Sequence, residues 1–169
     1  MPDELSIVNS MLYEHGALMQ YLRMLNAAIN EQETLFLQKS GEWTAGQLQT
    51  LKQKHLNLKN SITTLYDSLI NHFSSEENAL KPFVGQLLLA GLELEHKDIA
   101  EHLNQTRLLQ SEIEPEKLSR EELMAKSYEI RRSVELAAQL IEANINKEDG
   151  ILHAIRRVLL KEDKRPTGH

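Results

Sequence analysis

Four long stretches of this 169-residue sequence repeat apolar side chains every three or four residues, and the turn-forming residues lie in the gaps between them. A repeat of about 3.6 residues places such side chains on one face of an α-helix. Because only 7 Gly and 4 Pro are present, the sequence lacks the turns that a fold of many short strands needs. The pattern predicts an all-α protein: an antiparallel up-down-up-down four-helix bundle over residues 1–160, followed by a polar C-terminal tail over 161–169.

Two capping-box motifs predict where helices begin. Thr44 with Gln47, and Ser119 with Glu122, have the spacing at which each side chain satisfies the other's free backbone N–H group. Pro82 should end or kink the helix before it, because proline lacks an N–H and restricts the residue that precedes it. We therefore expect helices over about 3–38, over 44–82, from shortly after Pro82 to 111, and over 119–160.

The charge and the absence of cysteine exclude several classes of function. Asp and Glu total 25 against 19 for Lys and Arg, so the net charge is −6 and neither nucleic acid nor an anionic membrane is expected as a partner. With no cysteine, the chain has no disulfide, no thiolate metal site and no cysteine nucleophile. No signal peptide is visible and the longest apolar run spans only 87–90, so a cytoplasmic location is expected.

Three histidines interrupt the apolar stripes. His15, His72 and His96 each fall on the helix face that the neighbouring apolar residues predict to be buried. His55 also lies on its stripe, but it stands 17 residues before His72. That separation is about 25 Å along a helix, so the two cannot share a site. The remaining histidines are expected to be solvated: His102, His153 and His169.

Carboxylates interrupt two of the stripes as well. Glu76 lies one turn after His72, and Glu148 lies one turn after Asn144, whereas Glu77 is off the face and is expected to be solvated. Any one of these groups alone is typical of a polar core residue satisfied by a neighbour. In an antiparallel bundle, however, the three inward histidines and two carboxylates fall at one height, which is what iron, manganese or zinc needs. The predicted metal ligands are His15, His72, Glu76, His96 and Glu148.

These residues also stand in the order and spacing of a known family. Its pattern has a histidine on helix one, His-x-x-x-Glu on helix two, a histidine preceded by Glu on helix three, and His-x-x-x-Glu on helix four. The counterparts here are Glu14-His15, His72-x-x-x-Glu76-Glu77, Glu95-His96 and Asn144-x-x-x-Glu148-Asp149. The match spans residues 15–152, nearly the whole chain. The chain therefore resembles the hemerythrin-like, or HHE cation-binding, family of four-helix bundles.

The resemblance implies a non-haem di-iron site. His15 and His72 would bind one metal, and His96 would bind the other. Glu76 and Glu148 would bridge the two ions. The roles that the resemblance implies are binding or sensing of dioxygen or nitric oxide, or iron handling, and we expect binding rather than catalysis, with no catalytic residue assigned.

One residue departs from the family pattern. The family's fourth-helix histidine is Asn144 here, and a neutral amide oxygen is a much poorer iron ligand than an imidazole. Asn144 is then a weak ligand or a residue behind the ligands, and the second metal position is weak, water-filled or empty. We expect one or two ions of iron, with another divalent metal as the alternative cofactor.

Two other interpretations compete with this one. A bundle that has lost its metal and acts through protein–protein contacts is favoured by Asn144. A ferritin-like carboxylate bundle needs Glu-x-x-His on two helices, and this chain has that motif once, as Glu93-x-x-His96.

Overall fold

The computed structural model describes residues 3–37 and 43–164. Over these residues the protein is entirely helical, without a strand, and forms a four-helix bundle, which confirms the predicted all-α class. The helices are α1 (Glu4–Leu37), α2 (Ala45–Leu80), α3 (Gln86–Ser111) and α4 (Arg120–Glu162), with a 3₁₀ turn (Pro115–Lys117) between α3 and α4. Residues 38–42 and 165–169, which include most of the predicted polar tail and His169, lie outside the described residues.

The predicted helix starts are confirmed at both capping boxes. Thr44 Oγ1 accepts from the backbone N–H of Gln47 at 3.2 Å, while Gln47 Oε1 accepts from the backbone N–H of Thr44 at 2.8 Å. Ser119 and Glu122 make the same reciprocal pair at the start of α4. α2 ends at Leu80, two residues before Pro82, which has no backbone N–H to continue the hydrogen bonds of the helix.

Each helix of the bundle packs against two others. α1 and α3 both contact α2 and α4. Polar contacts join α1 to α4 near both ends of α1: Arg156 donates to Asn9 Oδ1 at 3.0 Å, and Arg131 forms an ion pair with Glu33. The apolar faces of all four helices thus meet in one interior.

Two apolar clusters fill this interior. The larger one includes Leu22, Leu65, Leu103 and Ile141. The smaller one consists of Val8, Met11, Leu80, Leu92 and Leu152. Between the two clusters lies a layer of buried polar side chains, which we call the polar layer and describe below. Within the described ranges, no helix has a stretch both long and apolar enough to cross a membrane.

Candidate metal centre

The polar layer contains all of the site residues predicted from the sequence. Every one of them is buried: His15 on α1, His72 and Glu76 on α2, His96 on α3, and Asn144 and Glu148 on α4. Four of them stand about one turn from a member of each apolar cluster, as His15 does between Met11 and Leu18: His15, Glu76, His96 and Glu148. The 3.6-residue period of the four stripes therefore turns these polar side chains inward at one height.

Four of these residues bring a ligand atom to a common point. The atoms belong to His15, His72, Glu76 and Glu148, and all lie within 4.8 Å of one another. His15 Nε2 is 3.2 Å from Glu76 Oε1 and 3.5 Å from Glu148 Oε2. His72 Nε2 is 3.3 Å from Glu76 Oε2. The two imidazoles meet edge to face, with their ring centroids 4.8 Å apart.

The same four residues carry buried polar atoms that have no hydrogen-bond partner. These atoms are Nε2 of His15, Nε2 of His72, both oxygens of Glu76 and Oε2 of Glu148. A buried polar atom without a partner costs about 1–3 kcal/mol, and more when it is charged. Native proteins rarely leave such atoms unpaired, so several at one point call for a bound group.

Their spacing fits a transition-metal ion. An ion with bonds of about 2.1 Å holds neighbouring ligand atoms about 3.0 to 3.4 Å apart, and opposite ones about 4.2 Å apart. The contacts of 3.2 and 3.3 Å match the first spacing, and the contact of 3.5 Å is slightly longer. All four ligand atoms lie within 4.8 Å of one another, a limit somewhat wider than the second spacing. The donor set of two imidazoles and two carboxylates therefore fits iron, manganese or zinc.

The other half of the polar layer is closed by short hydrogen bonds. His96 Nε2 donates to Glu148 Oε1 at 2.6 Å, and Asn144 Nδ2 donates to the same oxygen at 2.8 Å. These distances are too short for neighbouring ligands of one ion. The His96 ring also stacks on Phe73, with centroids 4.0 Å apart. His96 and Asn144 are therefore hydrogen-bonded to Glu148, and His96 Nε2 lies 3.7 Å from Glu76 Oε2 without a hydrogen bond to it.

A carboxylate on an adjacent helix holds each imidazole from its outer side. The pairs, each joined at the histidine Nδ1, are His15 with Asp149 (2.6 Å), His72 with Glu14 (2.6 Å) and His96 with Glu77 (2.9 Å). Such carboxylates fix the orientation of a histidine ligand and make its other nitrogen a better donor to a metal. Asn144 on α4 forms a fourth such pair with an amide in place of the imidazole, and its Nδ2 lies 3.5 Å from Glu95 Oε1.

Sequence reasoning missed the roles of these outer carboxylates, and for Glu77 the prediction was wrong. Glu77 was expected to be solvated, but its side chain is only 31% exposed and bonds to His96. A residue next to an inward-facing one lies about 100° farther round the helix, where it faces the adjacent helix. A carboxylate next to an inward-facing residue in the sequence can therefore be identified as a candidate partner for a histidine on the adjacent helix.

The other histidines that the structure describes lie outside the polar layer. His102 was expected to be solvated, but it is half-buried and its Nε2 donates to the backbone oxygen of Ser133 at 3.0 Å. His153 is exposed, as predicted. His55 is half-buried and accepts a hydrogen bond from Gln110 Nε2 at 2.7 Å.

Burial and charge act in opposite directions on the polar layer. Burial disfavours the charged imidazolium of His15, but the carboxylates of Glu148, Glu76 and Asp149 outweigh burial and raise the pKa of His15 to about 10. Burial also opposes charge on His96, yet Glu148 raises the pKa of that ring. Glu148 would be neutralised by burial, but His15 and His96 hold its pKa well below the usual range. In the metal-free layer, the His15 imidazolium therefore lies close to the carboxylates of Glu76 and Glu148 although its Nε2 makes no hydrogen bond, and a cation that binds His15 displaces a proton.

No family model, no curated protein and no solved structure matches this chain. The case for a metal centre therefore depends on the residues and the geometry described above, and the hemerythrin-like resemblance stays a prediction from motifs.

Proposed function

We propose that this chain is a metal-binding four-helix bundle that holds a non-haem iron ion on His15, His72, Glu76 and Glu148. The observation that carries the proposal is the set of buried atoms of these residues that have no hydrogen bond and lie within 4.8 Å of one another. Imidazole nitrogens with carboxylate oxygens form a donor set that suits iron, manganese and zinc. The motif resemblance favours iron among them.

We favour one strongly held ion over the di-iron pair that the resemblance implies. A second ion would need His96 as a ligand, and the Nε2 atom of this residue already donates to Glu148. Asn144 presents an N–H group, and not its oxygen, to the same carboxylate. Because a second ion has to break both hydrogen bonds, it binds more weakly than the first.

We further propose the antiparallel up-down-up-down arrangement of the hemerythrin-like bundle. It is supported by the contacts between α1 and α4, which join Asn9 to Arg156 and Glu33 to Arg131, so that residue numbers run in opposite directions. The outer carboxylates add support, because reversing a helix reverses the sense in which its sequence goes round the axis. Glu14 on α1 and Glu95 on α3 come immediately before an inward-facing residue. Glu77 on α2 and Asp149 on α4 come immediately after one.

The role we propose is binding, not turnover. Iron with four protein ligands keeps coordination positions at which a small ligand such as dioxygen or nitric oxide binds. The outer carboxylates hold the imidazoles in place, and the apolar clusters on either side exclude bulk water from the layer. Sensing of such a ligand, or handling of the iron itself, is the corresponding cellular role.

Elemental analysis of iron-loaded protein tests this proposal. Protein loaded with Fe(II) without oxygen and then desalted should retain about one iron per chain, while His72→Ala should retain none and His153→Ala, at an exposed position, should match the wild type. Wild-type protein without bound iron, manganese or zinc would contradict the proposal.

The second candidate is a metal-free bundle that acts through protein contacts. It is favoured by the hydrogen bonds that His96 and Asn144 make to Glu148, which close half of the layer without an ion. Thermal melting with and without a chelator separates the two candidates. At a metal concentration of 100 times Kd, binding stabilises the fold by about 2.7 kcal/mol, a shift of about 5 to 10 °C in Tm for a chain of this size. A metal-free bundle melts identically in both conditions.

A further inference from the structure

A groove between α1 and α2 lies directly against the polar layer. Its volume is about 300 Å³. Its walls expose more apolar than polar surface, and His72 forms part of its lining. The other lining residues are Glu14, Ala17, Leu18 and Tyr21 from α1, and Ser68, Asn71 and Ser75 from α2.

Glu14 connects this groove to the ligand atoms. Its side chain is 39% exposed, and its Oε2 accepts a hydrogen bond from His72 Nδ1 at 2.6 Å. The same imidazole carries, on its other nitrogen, one of the unpaired atoms of the polar layer. A single ring therefore separates an accessible carboxylate from the buried ligand atoms.

The oxygen atoms that line the groove suit a hydrated divalent cation. Carboxylate, hydroxyl and amide oxygens are the groups that such cations meet most readily before they lose their water. An ion with six waters, each occupying about 30 Å³, fits within the volume of the groove. The net charge of −6 attracts cations to the protein as a whole, and Glu14 focuses that attraction at this mouth.

We propose that the groove between α1 and α2 is the access route by which a divalent metal ion reaches the buried ligands, with Glu14 as its first contact and the His72 ring as the movable barrier. This inference rests on the proposed metal site. The ion meets the Glu14 carboxylate, and the His72 ring turns to pass it inward.

Loading kinetics with Co²⁺, whose visible absorption reports coordination, test the route. Ser74 and Ser75 are both exposed, but only Ser75 lines the groove. Ser75→Trp fills the groove and should slow both the association and the dissociation of Co²⁺ at least about tenfold, with Kd and stoichiometry unchanged, because a blocked path raises the barrier in both directions equally. Ser74→Trp should keep the wild-type rates.

A second pair of variants, on α1, distinguishes a blocked groove from a folding defect caused by Ser75→Trp. Ala17 lines the groove and Gln20 does not, and both are exposed. Ala17→Phe should repeat the slowing, and Gln20→Phe should not.

The outcomes separate the route from the metal site itself. Wild-type protein that binds no Co²⁺, Fe²⁺ or Zn²⁺ would overturn the proposed function and the route with it. Wild-type protein that binds Co²⁺ while both groove-filling variants load at the rates of their controls would overturn the route alone. Slower association with unchanged dissociation would indicate damage to the ligands, and it too would overturn the route.

Discussion

The two halves of the polar layer use the same kinds of side chain and reach opposite states. In the half formed by α1 and α2, the Nε2 atoms of His15 and His72 have no hydrogen-bond partner. In the half formed by α3 and α4, His96 and Asn144 both donate to one oxygen of Glu148. Each imidazole is oriented by an outer carboxylate in the same way, so the outer partners do not explain the difference.

The difference arises at Glu148, which belongs to both halves. Its Oε1 is taken up by two N–H donors, while its Oε2 has no hydrogen-bond partner and lies 3.5 Å from His15 Nε2. Oε1 of Glu148 thus accepts the hydrogen bonds that close the α3–α4 half of the layer, whereas Oε2 leaves the α1–α2 half open. Buried ligand sets are therefore better judged by which atoms lack partners than by which residue types are present.

Removing an imidazole from each half should give the largest contrast. His72→Ala should lower the affinity for Fe²⁺ or Co²⁺ by about 100-fold or more, since a ligand is lost and loss of an outer partner alone costs 10 to 100-fold. His96→Ala should lower it less than about tenfold, because His96 acts through Glu148. Competition titration against a chelator of known affinity measures both values. Equal losses in the two variants would mean that the halves are equivalent.

Neutralising the outer carboxylates should repeat the contrast at smaller size. Asp149 and Glu77 are matched, with side chains 36% and 31% exposed and each bonded to a histidine Nδ1. Asp149→Asn should weaken metal binding about tenfold, because the orientation of His15 is loosened. Glu77→Gln should change it by less than about threefold. A larger loss in Glu77→Gln than in Asp149→Asn would place the ion on the His96 side.

The helices and their starts follow from local sequence. The apolar period identifies the four helices, and the reciprocal bonds of Thr44 with Gln47 and of Ser119 with Glu122 are visible in the spacing alone. The sequence locates the end of α4 only within several residues, because Pro166 and Gly168 do not follow it directly, and the helix continues past 160 to Glu162.

The residues of the polar layer are predictable, but the state of each half is not. Interruptions of the apolar stripes identify His15, His72 and His96 as inward-facing, because burial follows from the helix period. The bond from Asn144 to Glu148 depends on the rotation of an amide, and the bond from Glu77 to His96 depends on the distance between two helices. Neither quantity is encoded in spacing along one helix.

Placing a histidine at position 144 should open the closed half. Asn144→His replaces the amide donor with an imidazole whose outer nitrogen faces Glu95, as His96 faces Glu77. We expect the metal content to rise from about one to about two ions per chain by elemental analysis. Asn144→Leu, which removes the donor without adding a ligand, should stay at one. A content of one in Asn144→His would show that His96 does not leave Glu148.

A last contrast separates the polar layer from His55 in another part of the bundle. Carboxylates raise the pKa of His15, whereas burial lowers the pKa of His55, which has an amide and no carboxylate as its side-chain partner. In metal-free protein the two rings therefore respond oppositely to pH. The contribution of His15 to stability is fully present below pH 6.5 and is lost as the pH rises toward about 10.

For His55 the pH dependence of the free energy of unfolding has the opposite sign, and this change in stability is the smallest effect that we predict. Below pH 6.5 the unfolded chain takes up a proton on this ring that the folded protein does not, so acidification lowers the free energy of unfolding. His55→Gln keeps an acceptor for Gln110 but cannot titrate, and its stability should fall less between pH 7.5 and 5.5 than that of the wild type. Urea midpoints measured in chelator at both pH values give the difference, with His153→Gln as the exposed control. If His55→Gln and the wild type lose equal stability on acidification, the His55 ring is charged in the folded protein, and the contrast with the polar layer fails.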